Sequence, residues 1–218
     1  MKREIEHKFK IGITEDSGEI LTRLKKIVIE NGWSILNEKE VSRTFVYYDT
    51  PSQKCYKNGE IIRRVEGFEK DAKGKFRYDF KTGSIDNRYE SSIWMDHELT
   101  PEEIVKGLTL SDRYSDIIES ARANTKHNKM LISKNETRVE ITLDEFKLLD
   151  RHKKPLLKVG SPKGHYLMGL RDLELELKAG DISDLDELAL KVESITAGRS
   201  SKQKYSQIIE ILRANGIL

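Results

Sequence analysis

The sequence predicts an α+β fold built on a largely antiparallel sheet or barrel. One observation is that segments with strict two-residue alternation of apolar and charged side chains recur along the chain, as in strands with one apolar face. A second is that four segments carry helix signals, either apolar residues at helical spacing or residues typical of helix ends. Eight strands and a few helices in this order indicate the α+β class.

Eight segments are predicted as strands. In the first, Glu4, Glu6 and Lys8 point to one face, whereas Ile5 and Phe9 point to the other. At least five strands in all divide in this way into an apolar face and a face that bears both signs of charge. The predicted strands are residues 3–11, 42–49, 60–66, 75–82, 87–96, 128–133, 137–144 and 170–178.

Four helices are predicted. The first spans residues 17–31, with Gly32 as its stop. The second opens on the capping box of Thr100 and Glu103, with proline at the first helical position, and is expected to run to about residue 124. The last two span residues 184–196 and 201–215.

The composition limits the class of partner. Lys and Arg number 39 and Asp and Glu 37, so the net charge of +2 gives no field for nonspecific nucleic-acid or membrane binding. Cys55 is the only cysteine, which excludes an internal disulfide and a zinc site of cysteines. No apolar run approaches the roughly 20 residues of a membrane span, and no apolar signal segment opens the chain, so a cytoplasmic protein is expected.

Two arrangements explain the divided strands equally well. One is a sheet with one wet side. The other is a closed barrel whose apolar faces point outward under the helices and whose charged faces point into a water-filled lumen. Periodicity alone does not separate the two.

The distribution of charge favours an anionic ligand with a cation. Carboxylates at two-residue spacing occur near both ends of the chain, as Glu4 with Glu6 and Glu174 with Glu176. If the first and last strands are neighbours, four carboxylates converge, and a divalent cation would remove their repulsion. Oligophosphate with Mg²⁺ or Mn²⁺ fits both this cluster and the basic residues between its halves. These basic residues are Arg63, Arg64, Lys81, Arg88 and Lys129.

Several segments, in order along the whole chain, resemble the signature motifs of the CYTH superfamily, the triphosphate tunnel metalloenzymes. Glu4-x-Glu6-x-Lys8 looks like the N-terminal ExExK motif. The later segments that resemble family motifs are Tyr47-Tyr48-Asp49-Thr50-Pro51, Gly59-Glu60-Ile61-Ile62-Arg63, Phe80-Lys81-Thr82, Arg88-Tyr89-Glu90, the strand Val139 to Asp144, Asp172 to Gly180, and Ser201-Lys202 followed by Tyr205. The last of these is one residue shorter than the family pattern.

The resemblance implies a single domain over residues 1–218, folded as an eight-stranded antiparallel closed β-barrel, the triphosphate tunnel, with helices packed outside. It implies Mg²⁺ or Mn²⁺ held by carboxylates, and basic side chains that grip phosphate oxygens. Lys8 and Glu176 are the implied catalytic residues. The implied metal ligands are Glu4, Glu6, Glu174, Glu176 and Asp144; the implied substrate-binding residues are Lys8, Arg63, Lys81, Arg88, Lys129 and Lys202.

Two positions of this sequence depart from the family pattern, and both concern the expected phosphate contacts. The second arginine of the family's R-x-R strand falls on Val65, and Arg64 is out of phase with it, so strand parity predicts a solvated Arg64. An arginine of a later strand is replaced by Lys129, which exchanges a bidentate donor for a point charge.

The function that follows is metal-dependent hydrolysis of inorganic tripolyphosphate or of a small organic triphosphate. A class IV adenylate cyclase and a noncatalytic polyphosphate or nucleotide binder are the alternatives. A triphosphate-containing small molecule is the expected partner, rather than a membrane or a nucleic acid. The sequence leaves open the identity of the triphosphate and the oligomeric state, a homodimer included.

Overall fold

The structure is a computed structural model that describes residues 2–12, 16–68, 74–84, 88–150, 152–156 and 168–218. The α+β class is confirmed. Asn87, at the start of a predicted strand, lies outside the described residues. The strands are β1 Lys2–Glu4, β2 Glu6–Lys10, β3 Ser34–Asp49, β4 Ile61–Glu66, β5 Phe76–Gly83, β6 Arg88–Met95, β7 Ile118–Lys134, β8 Thr137–Leu149 and β9 Met168–Ala179. The helices are α1 Ser17–Glu30, α2 Lys54–Asn58, α3 Pro101–Gly107, α4 Ile182–Glu193 and α5 Lys204–Ala214.

All nine strands form one antiparallel sheet in the order β1-β6-β5-β4-β3-β7-β8-β9-β2. The predicted closed barrel of eight strands is not confirmed, because the sheet has nine strands and two edges. The cause is a change of partner at Ile5. Before it the chain pairs with β6, and after it the chain pairs with β9. Since one residue separates the two edge strands, the sheet must curl until its edges approach each other.

The curl separates the two faces that the sequence predicts. On the convex side, apolar residues of β2, β8 and β9 are buried against α1 and α4, as Phe9, Leu143 and Leu173 illustrate. The helices contribute Leu24 and Leu188 to this layer. The charged residues of the same strands line the concave side. The structure therefore favours charged strand faces that line an enclosed cavity over a sheet with one face exposed to solvent.

The predicted helix over residues 100–124 is much shorter than expected. The capping box at Thr100 and Glu103 is present, but α3 stops at Gly107 and Thr109 has a positive φ of 59°. Turns follow, and β7 then begins at Ile118. The sequence also gave no sign of α2, a helix of five residues.

The strands β3 and β7 are longer than predicted. The first half of β3 pairs with the last half of β7. Residues in this part carry charges on both faces of the strand, such as Glu38, Lys39 and Glu40. Such segments lack the alternation that identifies a strand from sequence. Among the described residues, no helix is both long and apolar enough to span a bilayer.

Asp49, at the end of β3, anchors α2 and α5. Its buried carboxylate accepts hydrogen bonds from the backbone N–H groups of Thr50, Cys55 and Tyr56 at 2.7–3.0 Å. The Tyr205 hydroxyl of α5 donates a further bond at 2.9 Å. One side chain therefore accepts hydrogen bonds from the free backbone N–H groups at the start of α2. The same side chain holds α5 at this end of the sheet.

Replacing Asp49 with alanine should leave these buried donors without an acceptor. We expect Asp49→Ala to lower the free energy of unfolding by about 3 kcal/mol or more, measured by denaturant titration. The matched control is Asp112→Ala, since Asp112 is exposed, and it should stay within about 0.5 kcal/mol of the wild type. A small loss for Asp49→Ala would contradict its role as an anchor.

Candidate functional site

The concave face encloses a cavity of about 370 Å³ that is lined mainly by charged side chains. It brings together ten of the residues singled out from the sequence: Glu4, Glu6, Lys8, Arg63, Lys81, Arg88, Lys129, Asp144, Glu174 and Glu176. It also contains charged or titratable residues that the sequence did not single out for the site: Lys39, Arg43, Arg77, Glu90, His127, Glu140, Lys178 and Lys204. Alternation explains the strand residues of both sets, since every second residue of a strand faces the cavity, whereas Lys204 enters from helix α5.

Arg88 is the most informative side chain of the cavity. Its residue surface is only 2% exposed, and Nη1 lies 2.9 Å from Glu6 Oε1. Its Nε and Nη2 atoms are buried, and neither has a hydrogen-bond partner among the described residues. A buried guanidinium with two vacant donors is costly unless an acceptor is supplied, so this position is suited to an anion.

Lys8 bridges the two carboxylate pairs. Its Nζ lies 2.8 Å from Glu174 Oε1 and 3.5 Å from Glu6 Oε1. The register of β2 and β9 accounts for this, because Lys8 is directly opposite Glu174 and Glu6 opposite Glu176. The first and last strands of the chain are therefore neighbours, as the sequence argument required.

Arg63 points into the cavity, and Arg64 points away from it. Arg63 Nε donates to the buried Asp79 at 2.9 Å, and Arg77 Nη2 donates to the same carboxylate at 3.0 Å. Burial opposes ionisation of Asp79, yet these two guanidiniums hold its pKa below the usual value. The prediction of a solvated Arg64 is wrong, since this side chain is buried on the convex side in ion pairs with Glu66 and Glu98.

Carboxylates crowd one part of the cavity. Burial, with a hydrogen bond from Glu90 to Glu4, raises the pKa of Glu90 to about 7. Burial opposes ionisation of Glu4 as well, but its bonds to Glu90 and Lys81 lower its pKa to about 2. Burial also raises the pKa of Glu176, and the negative charges of Glu4 and Glu140 raise it further. Burial thus disfavours the charged forms of Glu90 and Glu176.

This carboxylate cluster of Glu4, Glu90, Glu140 and Glu176 has the donor chemistry of a hard divalent cation. A preformed site is not present, since no three His, Cys, Asp or Glu side chains of the described residues are grouped as metal ligands. Lys81 Nζ, 2.9 Å from Glu4, and Lys178 Nζ, 2.5 Å from Glu176, are the present partners. A bound divalent cation would replace these contacts between lysines and carboxylates.

Asp144 and Glu174 have different partners from the carboxylates of this cluster, and both contact Lys204. Asp144 is fully buried, with His127 Nδ1 2.5 Å from one oxygen and Lys204 Nζ on the other. Burial opposes ionisation of Asp144, but Lys204 and His127 lower its pKa. Glu174 also contacts Lys204 Nζ, at 2.9 Å. Both carboxylates are thus held by cations on the protein itself.

Lys202, predicted as a phosphate ligand, does not line the cavity. Its exposed side chain pairs with Glu210 at 2.7 Å. Lys204, the first residue of α5, occupies the cavity instead. The shortened spacing before Tyr205 was the available signal that the lysine of this segment had shifted. Lys129 does line the cavity, with Nζ 2.8 Å from Glu140.

Comparison with known proteins shows similarity of structure. No protein-family model and no curated protein matches the sequence. PH1819 of Pyrococcus horikoshii OT3 is similar at a TM-score of 0.55 and 18% identity, over 95% of this chain and 98% of that one. PH1012 of the same organism is similar at a TM-score of 0.50 and 13% identity, over 94% of this chain and 99% of that one.

A third similar structure is HpAC1 of Hippeastrum, a candidate adenylyl cyclase with a dominant triphosphatase activity. It gives a TM-score of 0.51 and 14% identity, over 95% of each chain. The neighbours cover nearly the whole of this chain, so the similarity concerns the entire curled sheet and its helices. The chain therefore shares its fold with these three proteins, in keeping with the motif resemblance noted in the sequence.

Proposed function

We propose that this chain is a metal-dependent triphosphatase that hydrolyses inorganic tripolyphosphate or a small organic triphosphate. The observation that carries the proposal is the buried Arg88, which lines the cavity with two nitrogens that have no partner among the described residues, together with the buried carboxylates of raised pKa in the same cavity. A polyanion together with a divalent cation would satisfy both. The triphosphatase activity of HpAC1, on the same fold, supports this choice.

Basic side chains on several strands would hold the phosphate chain. Lys8, Arg63, Lys81 and Arg88 project from β2, β4, β5 and β6, and Lys129 projects from β7. Lys204 takes the role that the sequence assigned to Lys202. Each would donate charge-assisted hydrogen bonds, which are stronger than those between neutral groups. Donors on different strands contact the anion from several directions and fix its orientation for reaction.

Glu4, Glu90, Glu140 and Glu176 are the residues best placed to hold Mg²⁺ or Mn²⁺, with Glu6 beside them. When bound, the cation would neutralise the phosphate chain and polarise its phosphorus–oxygen bonds. Asp144 and Glu174 would instead hold Lys204 and, in the case of Asp144, His127. We thus assign these two a positioning role in place of the metal-binding role that the resemblance implied.

Hydrolysis requires a water to attack the terminal phosphorus while the bridging phosphorus–oxygen bond breaks. Glu176 would accept the proton that this water loses, as a carboxylate of the same cavity. Lys8 and Arg88 would stabilise the negative charge that develops on the phosphate oxygens. The leaving group is a pyrophosphate or a diphosphate ester.

The proposal is tested by a product assay with tripolyphosphate and ATP, each with Mg²⁺ and with Mn²⁺. Orthophosphate should be released, and a chelator should stop its release. Arg88→Ala should lower kcat/KM by about a hundredfold, because the buried donors disappear. Cyclic AMP and pyrophosphate from ATP, with tripolyphosphate inert, would indicate a cyclase. Thermal shifts with ligand but without product would indicate a binder.

The two lysines near the start of α5 provide a matched comparison. Lys204→Ala should lower kcat/KM by roughly tenfold or more, because a charge is lost inside the cavity. Lys202→Ala should change it less than about twofold, because Lys202 is exposed and pairs with Glu210. Circular dichroism would verify that both variants fold. Greater loss in Lys202→Ala would show that α5 is placed incorrectly.

The carboxylate cluster predicts how stability depends on pH. Glu90 keeps its proton in the folded protein up to about pH 7, whereas the unfolded chain loses it near the ordinary value of 4.5. The unfolded state therefore binds fewer protons in this range, and metal-free stability should fall as pH rises from about 4.5 to about 7. Glu90→Gln imitates the protonated form, so it should raise Tm at pH 8 by about 2 °C or more.

Added Mn²⁺ should replace the missing proton. The Mn²⁺-induced rise in Tm should thus be larger at pH 8 than at pH 6 in the wild type, and smaller in Glu90→Gln at pH 8. Differential scanning calorimetry measures both. A Mn²⁺ response that is the same at the two pH values and in the variant would place the cation elsewhere.

A further inference from the structure

The strand β6 is paired on both sides over only part of its length. Residues 88–90 lie between β5 and β1, with Lys2 opposite Glu90. Residues 91–95 pair with β5 alone, because the register of β1 ends at Lys2. Among the described residues, no other strand and no isolated bridge pairs with this side of the segment. The segment Ser91-Ser92-Ile93-Trp94-Met95 is called the β6 edge below.

The β6 edge lacks the features that normally prevent strand pairing. An unpaired edge presents backbone N–H and C=O groups to any other strand, and proteins usually protect it with charges, proline or a bulge. The part of β3 that extends beyond β4 is protected in this way, since it carries Glu38, Lys39 and Glu40 and has a register shift after Ile35. The β6 edge has no charge, no proline and a regular register with β5, in a chain that is 35% charged.

A second copy of the chain is the partner that the geometry of the β6 edge suits. In an antiparallel pair, residues directly opposite each other point to the same face of the sheet. A two-fold axis that pairs two β6 edges must therefore pass through a residue and not between two residues. Ile93 is the central residue of the edge. With the axis at Ile93, the pairing covers residues 91–95 and stops where β1 begins.

The sizes of the side chains favour this register. Ser91 would lie opposite Met95 of the second copy, and Ser92 opposite its Trp94, so that each bulky side chain meets a small one. An axis at Trp94 would instead place two indole rings opposite each other. The ring of Trp94 already packs on Phe68, with centroids 4.6 Å apart, so pairing would not have to order it.

We propose that the β6 edge binds the β6 edge of a second copy of this chain, so that the two curled sheets join into one antiparallel sheet across a two-fold axis at Ile93. Backbone hydrogen bonds would supply the attraction, and the fit of small against large side chains would fix the register. Five residues on each side form an interface below the standard size, so we expect a dissociation constant on the order of micromolar or weaker. None of the five residues lines the cavity, so the dimer is independent of the proposed function.

Sedimentation velocity over about 1 µM to 1 mM protein tests the association. The wild type should pass from monomer to dimer in this range. Ser92→Lys places two like charges about 7–8 Å apart across the axis, so it should raise the dissociation constant by roughly tenfold or more. Ser92 is exposed, so the variant should fold, and Ser92→Thr is the uncharged control that should dimerise like the wild type. A monomer at every concentration, or a dimer that Ser92→Lys does not weaken, would overturn the inference.

Cross-linking tests the register. The one native cysteine, Cys55, is buried, so a cysteine placed on the surface can be addressed alone. A short bismaleimide should link Ser92→Cys to its copy, because the two side chains are diagonal neighbours in the proposed pair. Tyr89→Cys is the matched control, since Tyr89 is 41% exposed on the same strand but would lie about 27 Å from its copy. Equal linking of the two variants, or linking of Tyr89→Cys alone, would overturn the inference.

Discussion

The short segment from Lys2 to Lys10 is the constraint on which the rest of the structure depends. It pairs with β6 before Ile5 and with β9 after it, so it supplies both edges of the sheet. Nine antiparallel strands that begin and end in one segment cannot lie flat. The curl that results encloses the charged faces of the strands and leaves their apolar faces outside for α1 and α4 to cover.

Enclosing so many charges is costly unless they are paired, since each loses its hydration. The cavity solves most of this problem internally, as in the contacts of Lys8 with Glu174 and of Lys204 with Asp144. Two imbalances remain, and they have opposite sign. Arg88 has donors without acceptors, and burial raises the pKa of Glu90 and of Glu176, so their negative charges are disfavoured unless a cation is supplied. An anion and a cation, bound together, would correct both.

The similar structures define the fold but leave the chemistry to the side chains. At 13–18% identity they establish a shared curled sheet, and one of them is linked to triphosphate chemistry. That side-chain chemistry lies within the cavity. Lys204 in place of Lys202 and the buried pair of His127 and Asp144 are details that a shared fold does not specify.

The sequence by itself determined which residues share a face, because alternation in a strand is local. Parity predicts that Glu4, Glu6 and Lys8 share one face, and apolar spacing predicts α1; both are confirmed. Only the tertiary structure decided the change of partner at Ile5, the end of α3 and the place of Lys204, since these depend on which distant segments pair.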